Sequence, residues 1–146
     1  ELPLLAESAQ ATLKEIGMDV DINSTLDVNE AVKDTSSWDV YAMANVQAPT
    51  GDPEYWFTVF ALTDSAKNQG KYSNPELDAL EEQLSQEFDT DKRAELAVQM
   101  QQVILDDNAF VFCSFLKMSM ISRANVSNYT SHACDYYQIT ADLDIE

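Results

Sequence analysis

His132 is the sole histidine of the chain, and the run "SHACDYY" sets Ser131, Cys134 and Asp135 beside it. A hydroxyl nucleophile, an imidazole base and an orienting acid are the parts of a hydrolytic triad. Triad members, however, converge from separate loops rather than from neighbouring positions. The chain also lacks a G-x-S-x-G nucleophile elbow and a glycine-rich phosphate loop, which leaves an esterase-like α/β domain around Ser131 and His132 as a remote alternative. His132 with Cys134 suits a metal in type, but a structural zinc site takes four N or S ligands and the chain holds one His and two Cys. No catalytic set, no cofactor and no metal site of the chain's own is therefore expected. The pair Asp106–Asp107 follows an apolar helical stripe and reads as a helix end turning into a loop. Three glycosylation-type triplets, at Asn23, Asn125 and Asn128, are short enough to arise by chance.

The second stretch with chemical content is "NVQAPTGDPEYWF", residues 45–57. It holds Pro49 and Pro53, two of the chain's four prolines, and Gly51, one of its three glycines. Proline fixes φ and glycine opens positive φ, so the cluster builds a defined loop, and defined loops at strand ends carry function. Its side chains between Asn45 and Thr50 are neutral: two amides, a hydroxyl and small apolar groups. Such groups bind by hydrogen bonding and shape rather than by charge.

Composition limits what this loop serves. With 26 acids against 8 bases the chain carries a formal charge of −18, which opposes nucleic acid and anionic membrane surfaces as partners. The acids are dispersed and read as a solvated surface. At 146 residues and 45% hydrophobic content, one ordinary core is available. No secretory leader and no apolar run of transmembrane length is present, and "ELPLLAESAQ" reads as the interior of a fold, so the chain is expected to be part of a longer one. Cys113 and Cys134 could form one disulfide, but Cys113 lies in an apolar run where a buried free thiol is as natural.

The elements that position these residues follow from periodicity. Leu5, Ala9, Leu13 and Ile16 recur at helical spacing before Gly17, predicting a helix over about 3–16 with a left-handed cap. "MDVDIN", residues 18–23, alternates as a strand does, and the mostly apolar "WDVYAMANV", 38–46, reads as the next strand. A short helix is expected at 28–35. Asn74 and Pro75 open a helix to about residue 88 with Leu77, Leu80, Leu84 and Phe88 on one face; Asp89 opens another over 90–106. "NAFVFCSFLKMSMIS" reads as a strand from 109 to 116. The expected core is Leu77, Leu80, Leu84, Leu96, Met100, Val103, Ile104, Val111 and Phe115. The fold class is α/β, a mixed sheet flanked by helices, with a helix leading straight into a strand as in the second half of a β-α-β unit.

In order, "LPLLAESAQATLKEIGMDVDI", "WDVYAMANVQAPTGDPEYWF", "YSNPELDALEEQLSQEFDTDKRAELAVQMQQVILDDNAFVF" and "DYYQIT" resemble the C-terminal lobe of family 5 extracytoplasmic solute-binding proteins of ABC importers, which handle peptides and nickel. The third segment is the most diagnostic: a tyrosine-serine-asparagine turn, a helix, an acid-capped helix bearing Arg93 and an aliphatic strand. The resemblance spans residues 1–146 and implies a single lobe of a type II periplasmic-binding-protein-like fold. It also implies a monomeric intact receptor, either periplasmic or lipid-anchored outside the membrane, that delivers its solute to an ABC permease. In that family the loop after the strand touches the solute, which assigns Asn45, Val46, Gln47, Ala48, Pro49, Thr50 and Trp56 to the binding wall. Where the peptide branch aligns an aspartate for the peptide amine, this chain has Pro49, so the resemblance is nearer the nickel branch, whose metal arrives as a small organic chelate. A short-peptide receptor is the alternative. Val46 replaces a tryptophan that often opens this loop, and no histidine stands near Ser65, where some nickel-type members carry one.

Overall fold

The computed structural model describes residues 2–115, 119–130 and 139–145. Helix α1, Leu2–Glu15, forms where the spacing places it. It ends in a Schellman turn: the Met18 N–H donates to the Leu13 carbonyl at 3.0 Å and the Gly17 N–H to that of Lys14 at 3.0 Å. Gly17 adopts φ 86°, the left-handed conformation such a cap requires. The apolar stripe of α1 is not covered, however. None of its residues is buried, and Ile16 is 73% exposed.

The core lies between α4, Pro75–Leu84, and α5, Thr90–Asp106. Asn74 Oδ1 accepts the N–H groups of Glu76 and Leu77 at 2.8 and 3.3 Å, and Asp89 Oδ1 accepts those of Asp91 and Lys92 at 3.1 and 3.0 Å. Each cap satisfies donors that a helix start otherwise leaves open. The two helices run antiparallel, because Tyr72 and Asn74 before α4 bond Asp107 after α5, while Arg93 near the start of α5 bonds Leu84 at the end of α4. Leu77, Leu84, Met100 and Ile104 are sealed between them at 0–1% exposure. Burying each such side chain contributes about 1.5–3 kcal/mol. Leu80, Leu96 and Val103 pack on the rim of this cluster.

The segment after the proline loop is helical. A single turn, α3, Glu54–Trp56, passes into a π-helical turn, Phe57–Ala61, closed by the Leu62 N–H on the Phe57 carbonyl at 3.2 Å. It drives Phe57, Phe60 and Ala61 inward. Buried Asn68 braces the following loop, donating to the carbonyls of Leu62 and Tyr72 at 3.0 and 2.7 Å and accepting the Tyr72 N–H at 3.0 Å.

Several expectations need correction. Residues 18–23, 38–46 and 109–115 form neither helix nor paired strand; among the described residues the sheet consists of β1, Val126–Ser127, antiparallel to β2, Asp144–Ile145, with Val126 opposite Ile145. Alternating apolar residues record which side of a run suits burial, but a strand exists only when a neighbour completes its hydrogen bonds. Val111 and Phe115, expected in the core, are 87% and 84% exposed for the same reason: no ladder fixes their face inward. Helix α4 stops at Leu84 rather than reaching residue 88, since Arg93 Nη1 takes the Leu84 carbonyl at 2.6 Å and the Glu87 carbonyl at 2.8 Å, and Phe88 is left exposed. The helix expected over 28–35 is the short α2, Val28–Ala31, capped by Asp27. Cys113 is exposed, not buried.

Candidate functional site

The proline loop is built from three local devices. The Gly51 N–H donates to the Ala48 carbonyl at 3.0 Å, closing a turn, and Gly51 takes φ 82° to leave it. Asp52 Oδ1 then accepts the Glu54 N–H at 2.9 Å and starts α3. Before and within the turn, Asn45, Gln47, Ala48 and Thr50 are exposed, while Val46 and Pro49 are half-buried. The structure thus presents an uncharged, hydrogen-bonding edge over residues 45–50.

The acids that follow are engaged. Arg93 Nη2 donates to both oxygens of Asp52, at 2.8 and 2.9 Å, and to Glu54 Oε2 at 2.7 Å. The hydrogen bond from the Glu54 N–H, and after it the guanidinium, hold the Asp52 carboxyl below its ordinary range. The two carboxylates in turn raise the pKa of Arg93. Both acids are thus bonded to Arg93, although two carboxylates facing one guanidinium leave the cluster with a net negative charge.

Glu81, on α4, points into the same cluster and is 8% exposed. Thr58 Oγ1 donates to its Oε1 at 3.3 Å, and its Oε2 has no partner. Burial, and after it the charge of Glu54, push this carboxyl up to about 7. Sequence reasoning passed over Glu81, although its phase, four residues after Leu77 and three before Leu84, puts it on the inward face. At the opposite end of the hairpin, Asp107 Oδ2 accepts from Tyr72 Oη at 2.6 Å and from Asn74 Nδ2 at 2.7 Å. Those bonds hold Asp107 low, and burial together with Asp107 raises the Tyr72 phenol to about 12.

Trp56, assigned to the wall by resemblance, belongs to an aromatic cluster. Its ring meets Phe57, Phe60, Phe110 and Phe112 at centroid distances of 5.7, 6.2, 5.4 and 5.7 Å, and it packs on the core as a half-buried side chain. Ser65, near which some nickel-type members carry a histidine by resemblance, is structural: its hydroxyl donates to the Thr58 carbonyl at 2.7 Å and accepts the Leu62 N–H at 3.0 Å. Ser131, His132, Cys134 and Asp135 lie outside the described residues, as does the pairing of Cys113 with Cys134. Among the described residues no three His, Cys, Asp or Glu side chains converge as metal ligands, and no helix is long and apolar enough to cross a membrane.

The fold is that of a lobe of the periplasmic-binding-protein type. Two solved structures share it across 99% of this chain: NikA of Staphylococcus aureus in complex with Ni(L-His)2, with TM-score 0.79 and 24% identity, and the nickel ABC transporter protein of Bacillus halodurans, with TM-score 0.76 and 28% identity. In sequence the chain is homologous to the nickel-binding protein NikA of Staphylococcus aureus, 27% identical over 129 residues that make up 88% of this chain. It spans 26% of that protein's length and 31% and 30% of the two solved chains. No family model matches the chain.

Proposed function

We propose that this chain is the C-terminal lobe of a family 5 solute-binding receptor and that the receptor captures nickel, or a similar metal, as a small chelate for an ABC permease. The observation that carries the reading is the neutral edge at 45–50, where Pro49 stands in place of an acid and the nearest acids, Asp52 and Glu54, are bonded to Arg93. A peptide receptor of this kind needs a free carboxylate for the α-amino group; a chelate has its metal charge satisfied by its own ligands and asks the protein for neutral hydrogen bonds and shape. Asn45, Gln47 and Thr50 supply amide and hydroxyl groups of that sort. Val46, Ala48 and Pro49 supply the wall. The relatives named for nickel point the same way. The role is capture, not catalysis, and it belongs outside the cytoplasmic membrane, in a periplasm or on a lipid anchor, with the intact receptor working as a monomer. The other lobe closes over the solute and supplies the opposite wall.

Calorimetric titration of the full-length protein with Ni(II) alone, with a Ni(II)–histidine chelate and with short peptides decides among these solutes. Binding of the chelate in preference to bare Ni(II) and peptides is expected. Binding of peptides alone would overturn the chelate reading and restore the peptide-receptor alternative.

A further inference from the structure

Arg93 and Asp52 are 41 residues apart in sequence, yet the guanidinium grips both carboxylate oxygens of Asp52, at 2.8 and 2.9 Å. The same guanidinium holds the Leu84 and Glu87 carbonyls through Nη1, at 2.6 and 2.8 Å. Its side chain is 16% exposed, so the fork is fixed in orientation by the α4–α5 corner before it meets the loop. On the other side, Asp52 follows directly on Gly51, whose N–H closes the Ala48–Gly51 turn. An arginine that cannot swing, pinned through Nη1 to two carbonyls and reaching both oxygens of one carboxylate through the single nitrogen Nη2, holds that carboxylate at a fixed distance from the corner.

We infer that Arg93 is a positioning residue for solute binding: it touches no solute itself, but through Asp52 it sets where the edge 45–50 stands relative to the rigid helical hairpin. This inference rests on the reading of residues 45–50 as a binding wall. A loop held in its binding geometry loses less freedom when a ligand arrives, so its anchor contributes to affinity without a direct contact.

Asp52→Asn is the discriminating variant, since the asparagine Oδ1 still accepts the Glu54 N–H while the ion pair with Arg93 Nη2 is lost. Two measurements on the full-length protein decide the matter. In the unliganded protein, hydrogen exchange of the Gly51 amide is expected to rise several-fold while α4 and α5 amides stay as protected as in the parent. Affinity for a Ni(II)–histidine chelate is expected to fall several-fold with the melting temperature moved by less than about 2 °C. Arg93→Lys, which keeps the charge but not the fork, is expected to loosen the same amide. Unchanged exchange at Gly51 in Asp52→Asn, or equal loosening of α4 and α5, overturns the positioning role whatever the solute; so does unchanged chelate affinity. Failure of the parent to bind the chelate removes the nickel reading instead, and the exchange result still stands or falls by itself.

Discussion

Replacing Glu81 with glutamine isolates the cost of an acid placed in a shared, proton-poor corner. In the folded chain Glu81 holds its proton up to about 7, against 4.5 for an ordinary glutamate. Between those values the folded state keeps a proton that the unfolded state has released, so the stability of the parent falls as pH rises through the window. Below it, Glu81 is neutral in both states and costs nothing. At about 1.36 kcal/mol per pH unit the gap corresponds to roughly 3 kcal/mol. Asp52 and Glu54, which crowd Glu81 along with Arg93, are 44% and 32% exposed, and solvent screening there reduces the figure to about 1–2 kcal/mol. Glu81→Gln removes the titration while keeping an oxygen for Thr58. Urea denaturation of parent and variant at matched pH cancels every other acid in the chain, because those titrate in both. The variant is expected to gain about 1–2 kcal/mol on the parent between about pH 5 and pH 8. A difference that stays flat within about 0.3 kcal/mol over that range would refute the account of Glu81 as a buried carboxyl with one oxygen unpartnered.

Three further outcomes are expected. Leu84→Ala empties a fully buried position between α4 and α5 and should cost about 2–5 kcal/mol in denaturant unfolding; a loss below about 0.5 kcal/mol would mean the hairpin core is misassigned. Asn74→Ala removes both the α4 cap and a bond to Asp107, so about 1–2 kcal/mol should be lost, whereas Asn74→Asp, which preserves the cap but sets a charge against Asp107, should recover part of it at low pH only. Gln47→Ala combined with Thr50→Ala in the full-length receptor should weaken chelate binding in calorimetry with the unliganded melting temperature nearly unchanged, and a large loss of stability would show these exposed residues to be packing elements.

What the sequence disclosed depended on distance along the chain. Caps are local, and Gly17, Asn74 and Asp89 announced their helices correctly because the bonds involved span five residues or fewer. The inward stripe of α4 and α5 was legible too, since one helix face settles it. The strands were not: 18–23 alternates and 38–46 and 109–115 are apolar runs of strand length, but pairing is a property of two segments and only one is visible in a pattern. The aromatic partners of Trp56 were not legible either: Phe110 and Phe112 lie more than fifty residues away in sequence. The clasp of Arg93 on Asp52 left no local trace, and neither residue alone departs from ordinary surface composition. The neutral character of residues 45–50 was legible outright, because it depends on side-chain type alone.

The clasped hairpin has a consequence for how the chain comes to be folded. Arg93 reaches the Leu84 carbonyl across only nine residues, and the Tyr72–Asp107 bond closes a span of 35, so both lie within one stretch of helical, low-contact-order chain. Asp52 precedes its anchor by 41 residues. During synthesis, therefore, the proline loop emerges first and has nothing to dock on until α5 has begun to form. The clasp of the earlier-made loop can close only once the later-made residue that holds it has been synthesised.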